Sequence, residues 1–285
     1  MLNLSPIEPV DYLIIGHLTQ DLTAEGPMLG GTASYAARTA QAIGLRVGIV
    51  TSCASEIALD SLKGVSISYR ASDHSTTFEN IQTPTGRIQY IHHVASSLDY
   101  SMVPHTWRNA PIVHLGPVAQ EVDPRLARAF PESQVCLTPQ GWLRTWNSDH
   151  LIHPTDWPEA RFVLENADAA VLSIEDVQGD ESRIEEMLSS IRILVITEGA
   201  RGARMYWNGD LRYFKPPQVK ELDPTGAGDI FAAAFFVRLS QTHDPWEAAR
   251  FATQLAAQSV TRPGLAGTPT AEEVQDALLE IIPKA

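Results

Sequence analysis

Short apolar runs, each bounded by turn-forming residues, recur along the chain at Tyr12–Ile15, Val47–Val50, Ile112–Leu115, Val135–Leu137, Ala169–Leu172 and Ile193–Ile196. Between many of them the apolar positions return with helical spacing, over Ser34–Ile43, Arg125–Phe130, Ala160–Glu165 and Arg183–Ile191. This alternation predicts βαβ units around a mainly parallel sheet, an α/β body. One stretch breaks the pattern. Val65 to Val94 alternates with period two and carries a turn signal at Pro84–Gly86. It reads as consecutive strands with no helix between them, a small antiparallel sheet placed to act as a lid.

A second hairpin is expected in MYWNGDLRYF, where Asn208–Gly209 supplies the turn. From Gly226 onward the pattern is helical: Asp229–Leu239, then Pro245–Val260 with proline at the helix start, then Ala271–Ile282 behind Thr270 as N-cap. No internal repeat or long linker divides the 285 residues, which are expected to form one domain.

Composition narrows the function classes. A hydrophobic content of 44% with 19% charged residues fits a soluble globular protein. The net charge of −13, from 34 acidic against 21 basic residues, argues against nucleic acid or an anionic membrane as partner. A small anionic ligand remains compatible, because local N–H groups and a metal ion outweigh the global sign. The apolar run Ile230–Val237 is far shorter than the roughly 20 residues of a spanning helix. The opening residues lack the features of an export signal. Cys53 and Cys136 lie in or beside strand-like segments and read as small buried hydrophobes, which fits a reducing cytoplasm.

Candidate chemistry concentrates in DPTGAGDIFAAAFF, Asp223 to Phe236. Gly226 and Gly228 allow a tight turn that exposes successive N–H groups, and the following helix adds its positive end, which together make an anion-binding nest. Asp229 at that helix start is expected to stay ionised, because N–H dipoles favour its charged form, and to accept a proton from a substrate hydroxyl. An acidic residue in a first helical turn is also an ordinary stabilising device. The full string, however, is similar to the signature of the ribokinase (PfkB-type) family of sugar and nucleoside kinases.

That resemblance implies a ribokinase-like three-layer sandwich with a mainly parallel central sheet, and a small β lid formed by about residues 18–29 and 65–94. By it, Asp229 is the catalytic base and Gly226, Ala227 and Gly228 form the anion hole, with ATP and Mg²⁺ as cofactors. In LGGTASYAARTAQAIGLRVGIVTS, Gly30 and Gly31 match the segment that touches the acceptor, together with Asp21 in IIGHLTQDL. In VITEGARGARMYWNG, Thr197, Gly199 and Gly202 match the loop that approaches the ATP phosphates. SVTRPGLAGTP, with Gly264, is similar to the loop that walls the adenine. In several relatives that loop, with carbonyls near Asp223 and Thr225, frames a monovalent-cation site, and K⁺ binding here is left open.

The chain departs from the family pattern in two places. Where relatives carry Asn-x-x-Glu toward Mg²⁺, AAVLSIEDVQG offers Ser173, Glu175 and Asp176, so the metal-side candidates are Glu175, Asp176 and Asp223. Where many relatives have an acceptor-side asparagine, this chain has Tyr35, and TPQGWLRTW adds Gln140 and Arg144 on the same side. These features look most like the branch containing myo-inositol kinases, implying a sugar or cyclitol acceptor. A nucleoside or sugar phosphate is the alternative, as is a binding regulator that has lost catalysis. Relatives occur as monomers and as pairs joined through the lid, which leaves a lid-mediated homodimer open. His17, His92, His93 and His114 show no metal-ligand spacing.

Overall fold

The computed structural model describes residues 7–24, 26–83 and 86–279. Its strands in chain order are β1 (Tyr12–Ile15), β2 (Thr19–Thr23), β3 (Gly26–Gly30), β4 (Val47–Cys53), β5 (Ser66–Ala71), β6 (Thr76–Thr83), β7 (Gly86–His93) and β8 (Ile112–Leu115). They continue with β9 (Gln134–Leu137), β10 (Arg144–Trp146), β11 (Ile152–Pro154), β12 (Ala169–Ser173), β13 (Ile193–Thr197), β14 (Ala203–Trp207) and β15 (Asp210–Phe214). The helices are α1 (Thr32–Ala42), α2 (Ala160–Glu165), α3 (Glu181–Leu188), α4 (Ala227–Thr242), α5 (Pro245–Ser259) and α6 (Ala271–Leu278).

Nine strands form the main sheet in the order β15-β14-β13-β12-β9-β8-β1-β4-β5. From β5 to β13 every pairing is parallel, and β14 and β15 add an antiparallel edge. Strand β1 shows why its apolar run is continuous. Tyr12 and Ile14 point into one core and Leu13 and Ile15 into the other, all of them sealed from solvent. The first core is covered by α1, α4, α5 and α6, and the second by α2, α3 and a loop layer holding Trp107 and Phe130. The result is a three-layer α/β sandwich. Helix α4 is apolar on nearly every side from Ile230 to Val237 because it lies between the sheet and its neighbours α1 and α5.

The small sheet has the order β3-β2-β6-β7. It differs from the expected lid in two respects. Residues Ser66–Ala71, expected in the lid, instead pair in parallel with β4 as the edge of the main sheet. Period-two alternation reports one exposed face, which an edge strand and a lid strand share, so the pattern alone does not choose the partner. The lid is also mixed rather than purely antiparallel, since β2 runs parallel to β6. Of the turn expected at Pro84–Gly86, residues 84 and 85 lie outside the described residues, as do residues 280–282 of the last expected helix.

Other local expectations hold. Asn208 and Gly209 both adopt positive φ, 51° and 82°, the geometry of a type I′ hairpin turn. Asp244 caps α5 ahead of Pro245, and Thr270 forms a capping box with Glu273 at α6. The segment expected to be helical at Arg125–Phe130 is only a 3₁₀ turn, Pro124–Arg128, whose start is capped by Asp123. Cys53 and Cys136 are free and buried, as read from the sequence. No helix among the described residues is long and apolar enough to cross a membrane.

Candidate active site

The parallel register brings the functional segments to one edge. Ile15, Leu115 and Leu137 are level across β1, β8 and β9, and Ser173 is level with Thr197 across β12 and β13. Residues just past these carboxyl ends therefore share one rim, where open α/β sheets place their ligands. The loops carrying Gln140, Arg144, Glu175, Asp176 and Gly199 all leave from it.

Two helix starts meet at this rim. Gly226 is the N-cap of α4 in a left-handed conformation, φ 79°, and Asp229 lies in the first turn. Gly31, φ 84°, caps α1. Across the junction the Thr32 hydroxyl donates to Asp229 Oδ1 at 2.7 Å. One turn along α1, the Tyr35 ring packs directly on Gly226, so any side chain at 226 would collide with it. One helix thus fixes both the carboxylate and the glycine turn beside it. In that turn the Ala227 N–H donates to Pro224 O at 3.2 Å and closes the loop on itself. Of the amides expected to bind an anion, that of Ala227 is thus turned back on the loop, which leaves first-turn N–H groups of α4 such as that of Gly228 without an intrahelical partner.

Asp229 is half-buried. Desolvation pushes its pKa up to about 6 from the ordinary 3.8; the Thr32 hydroxyl opposes this, Asp176 adds to it, Arg144 opposes it, and Asp21 adds to it. The expectation that dipoles would dominate is corrected: loss of water outweighs them. A carboxylate in that range is still mostly ionised at neutral pH and is a better proton acceptor than an ordinary one.

Of the residues expected to face an acceptor, the Asp21 carboxylate lies against Gly30, filling the space a β-carbon would need, and accepts from the Thr19 hydroxyl at 3.0 Å. Arg144 Nη2 stands 3.9 Å from Asp176 Oδ1, and Gln140 Nε2 donates to the same oxygen at 3.0 Å. Asp176 Oδ2 accepts from the Ser173 N–H at 2.9 Å, closing a capping box at the end of β12. Gln140, Arg144 and Asp176 therefore form one connected group, while Glu175 projects, exposed, from the same turn. Tyr35 corrects an expectation. It is 3% exposed and serves as a floor under Gly226, leaving almost no surface for an acceptor.

Asp223, expected on the metal side, is instead a staple. Its Oδ1 accepts from the Thr225 N–H at 2.9 Å and its Oδ2 from the Gly264 N–H at 2.7 Å. Burial raises its pKa, but these bonds outweigh burial and hold the carboxyl below its ordinary value. The expected set Glu175, Asp176 and Asp223 does not converge. Among the described residues no group of three or more His, Cys, Asp or Glu side chains could hold a metal ion.

Thr197 ends β13 at the rim, and Gly199 faces open space. Gly202 has a packing reason, since the Phe214 carbonyl occupies the place of its missing side chain. His114 is sealed in the core between Tyr12 and Thr138, and burial pushes its pKa down to about 3, so it stays neutral.

Two residues were missed by sequence reasoning. Thr32 follows the glycine pair directly, and only the fold reveals its bond to Asp229. Glu121, 3% exposed, accepts from the backbone N–H groups of His17, Val118 and Ala119, tying the base of the lid to the β8 loop.

An α/β sandwich with a small second sheet, and an aspartate at a glycine-turned helix start on the sheet rim, agrees with a class of small-molecule kinases. Residues 151–271 match the family model described as pfkB family carbohydrate kinase. Over that segment, and in fold along most of its length, the chain is similar to ribokinase/PfkB-type kinases. It is 25% identical to the cytidine kinase of Thermococcus kodakarensis over 90% of this chain and 98% of that one. It is 35% identical to the inositol 3-kinase of Zea mays over 25% of this chain and 19% of that one. In fold it is similar to a pyrophosphate-dependent kinase of the ribokinase family complexed with a pyrophosphate analog and myo-inositol. That likeness has a TM-score of 0.75 and 19% identity, over 94% of this chain and all of that one.

Proposed function

We propose that this kinase moves the γ-phosphoryl group of ATP to a hydroxyl of a small cyclitol or sugar, with myo-inositol-like acceptors favoured. The observation that carries the reading is the Asp229 carboxylate, gripped by Thr32 at 2.7 Å beside the glycine turn that opens α4. Asp229 takes the acceptor proton, and the first-turn N–H groups of α4 stabilise charge developing on the transferring group. Arg144, close enough to Asp229 to oppose its pKa rise, adds a fixed positive charge at the rim. The lid over the acceptor excludes water and limits hydrolysis of the donor.

Mg²⁺ retains several waters and takes one or two protein carboxylates, arriving with the donor phosphates, so a converging cage is not required. The exposed Glu175, with Asp176 beside it, fits such water-mediated holding. When bound, the ion neutralises phosphate charge. A K⁺ site would belong to the loop joined by Asp223 and Gly264, and a potassium titration of turnover tests it.

A nucleoside acceptor is the second reading, favoured by the likeness to a cytidine kinase along most of the chain. The test is a screen of cyclitols, sugars, nucleosides and sugar phosphates with Mg-ATP, and with pyrophosphate in a parallel arm, reading product by mass. Phosphorylated cyclitol supports the reading. Phosphorylated nucleoside alone moves the acceptor class, and ligand binding without product replaces catalysis by a binding role.

A further inference from the structure

A line of three polar side chains climbs through the apolar core beneath α4. Tyr12 at the start of β1 and His114 in β8 are sealed from solvent, and Thr138, the first residue past β9, is nearly so. The Tyr12 hydroxyl and His114 Nδ1 are 2.7 Å apart, and His114 Nε2 and the Thr138 hydroxyl 2.8 Å. A neutral imidazole has one N–H and one bare nitrogen, so one hydroxyl donates to the ring while the other accepts from it. The three groups are set together.

Packing does not ask for this. The sheet neighbours of His114 are Ile14 and Cys136, and Phe236 of α4 meets its ring edge-on, with centroids 5.0 Å apart. An apolar side chain would fill the place without taking an imidazole and two hydroxyls out of water. The upper end is also diverted from an ordinary duty. Thr138 is the N-cap of the 3₁₀ turn Pro139–Leu143, where a hydroxyl commonly accepts from the turn, yet it makes no capping bond and reaches His114 instead.

What the chain holds is seen at Gly116, just past β8. The place of its missing β-carbon is bordered by the Thr32 methyl, 2.9 Å away, and by the Thr138 hydroxyl oxygen, 3.3 Å away. Thr32 therefore seats its methyl over Gly116, beside an oxygen that His114 keeps in place. Methyl and hydroxyl leave the same carbon at a fixed angle, so seating one aims the other, and the hydroxyl falls on Asp229 Oδ1 at 2.7 Å. The lower end of the chain lies in the same field: burial raises the Tyr12 pKa, and Cys136 and Asp229 add to it.

We infer that His114 is a positioning residue for the base: with Tyr12 and Thr138 it forms a buried hydrogen-bond chain that keeps Thr32 seated over Gly116 and its hydroxyl on Asp229. The inference rests on the reading of Asp229 as the proton acceptor of a kinase, and it holds for either acceptor class above.

The test compares the unaltered protein with His114→Phe, His114→Gln, Thr32→Val and the double substitution of His114→Phe with Thr32→Val. Two quantities are read in each: kcat and KM across pH for the best acceptor of the screen, and the titration of the Asp229 carboxyl by carbon NMR, its signal assigned by its loss in Asp229→Asn. His114→Phe should lower kcat about 3- to 10-fold with both KM values little changed. It should also raise the Asp229 pKa further, because burial already raises it and the Thr32 hydroxyl that opposes burial is released, and the acid limb of the rate profile should move the same way. His114→Gln, whose amide donates on one side and accepts on the other, should recover most of the loss. Adding Thr32→Val to His114→Phe should cost little more, because both act through one bond. If His114→Phe fails to fold, Thr138→Ala, which removes the oxygen beside Thr32, provides the same comparison. Losses that multiply in the double substitution overturn the inference, as does an Asp229 titration that stays in place in His114→Phe, whether or not kcat falls. A titration that moves in a protein without phosphoryl transfer upholds the inference and defeats only the kinase reading.

Discussion

Asp229 carries a cost of placement that its neighbours only partly relieve. Its pKa in the fold, about 6, lies above the ordinary 3.8, so folding disfavours its charge. The penalty is absent below pH 3.8, grows as pH rises to about 6, and is complete above that. Asp229→Asn removes it. That variant is expected to be more stable at neutral pH by about 1–3 kcal/mol, allowing for partial exposure, and to gain little near pH 4. Thermal unfolding at the two pH values checks this, and equal stability at both would mean the carboxyl is not desolvated. Thr32 holds the carboxylate from across the junction. In Thr32→Val the lowering effect of the hydroxyl is lost, so the acid limb of the pH–rate profile should move to higher pH and turnover fall about 10-fold. Tyr35 acts through Gly226. Tyr35→Ala should lower kcat about 10-fold or more with little change in acceptor KM, and Tyr35→Phe should retain activity, because the ring is what fills the space. A large change in acceptor KM would instead return Tyr35 to the acceptor site.

At the scale of elements, the site depends on loops joined by single side chains. Asp223 ties the turn before α4 to the loop at Gly264, and Arg262 ties the same loop to Glu273 of α6 through bonds of 2.6 and 2.9 Å. Asp223→Ala should raise donor KM about 10-fold while acceptor KM stays close to normal, because two backbone N–H groups lose their acceptor and the loop its position. Steady-state kinetics with each substrate varied separately provides the check. These joints also mark where sequence reading stopped. The apolar runs of β1, β8 and β12, the Asn208–Gly209 hairpin and the Pro245 helix start are local signals, and local chemistry was enough to place them. The partner of β5 was not legible, because alternation records exposure and not pairing. The staple made by Asp223 has no local signal, because the groups it binds, at 225 and 264, come together only after folding. Thr32 and Asp229 are 197 positions apart, and no local rule connects them.

At the scale of the whole molecule, the parallel sheet is a device for bringing distant loops to one rim, and the lid sheet carries Asp21 close enough to that rim to act on Asp229. The excess of acidic residues agrees with a small ligand held by local amides and a few placed cations. Asp229, its glycine turn and the loops that meet at the rim were singled out by motifs; the contacts that Thr32, Tyr35 and Glu121 make around them required the packed structure. The most direct test of the central claim is the turnover of Asp229→Asn with Mg-ATP and the best acceptor, alongside melting temperature. The account predicts a fall of about 10²–10⁴ in kcat in a protein that folds normally. Near-normal turnover in that variant would contradict it.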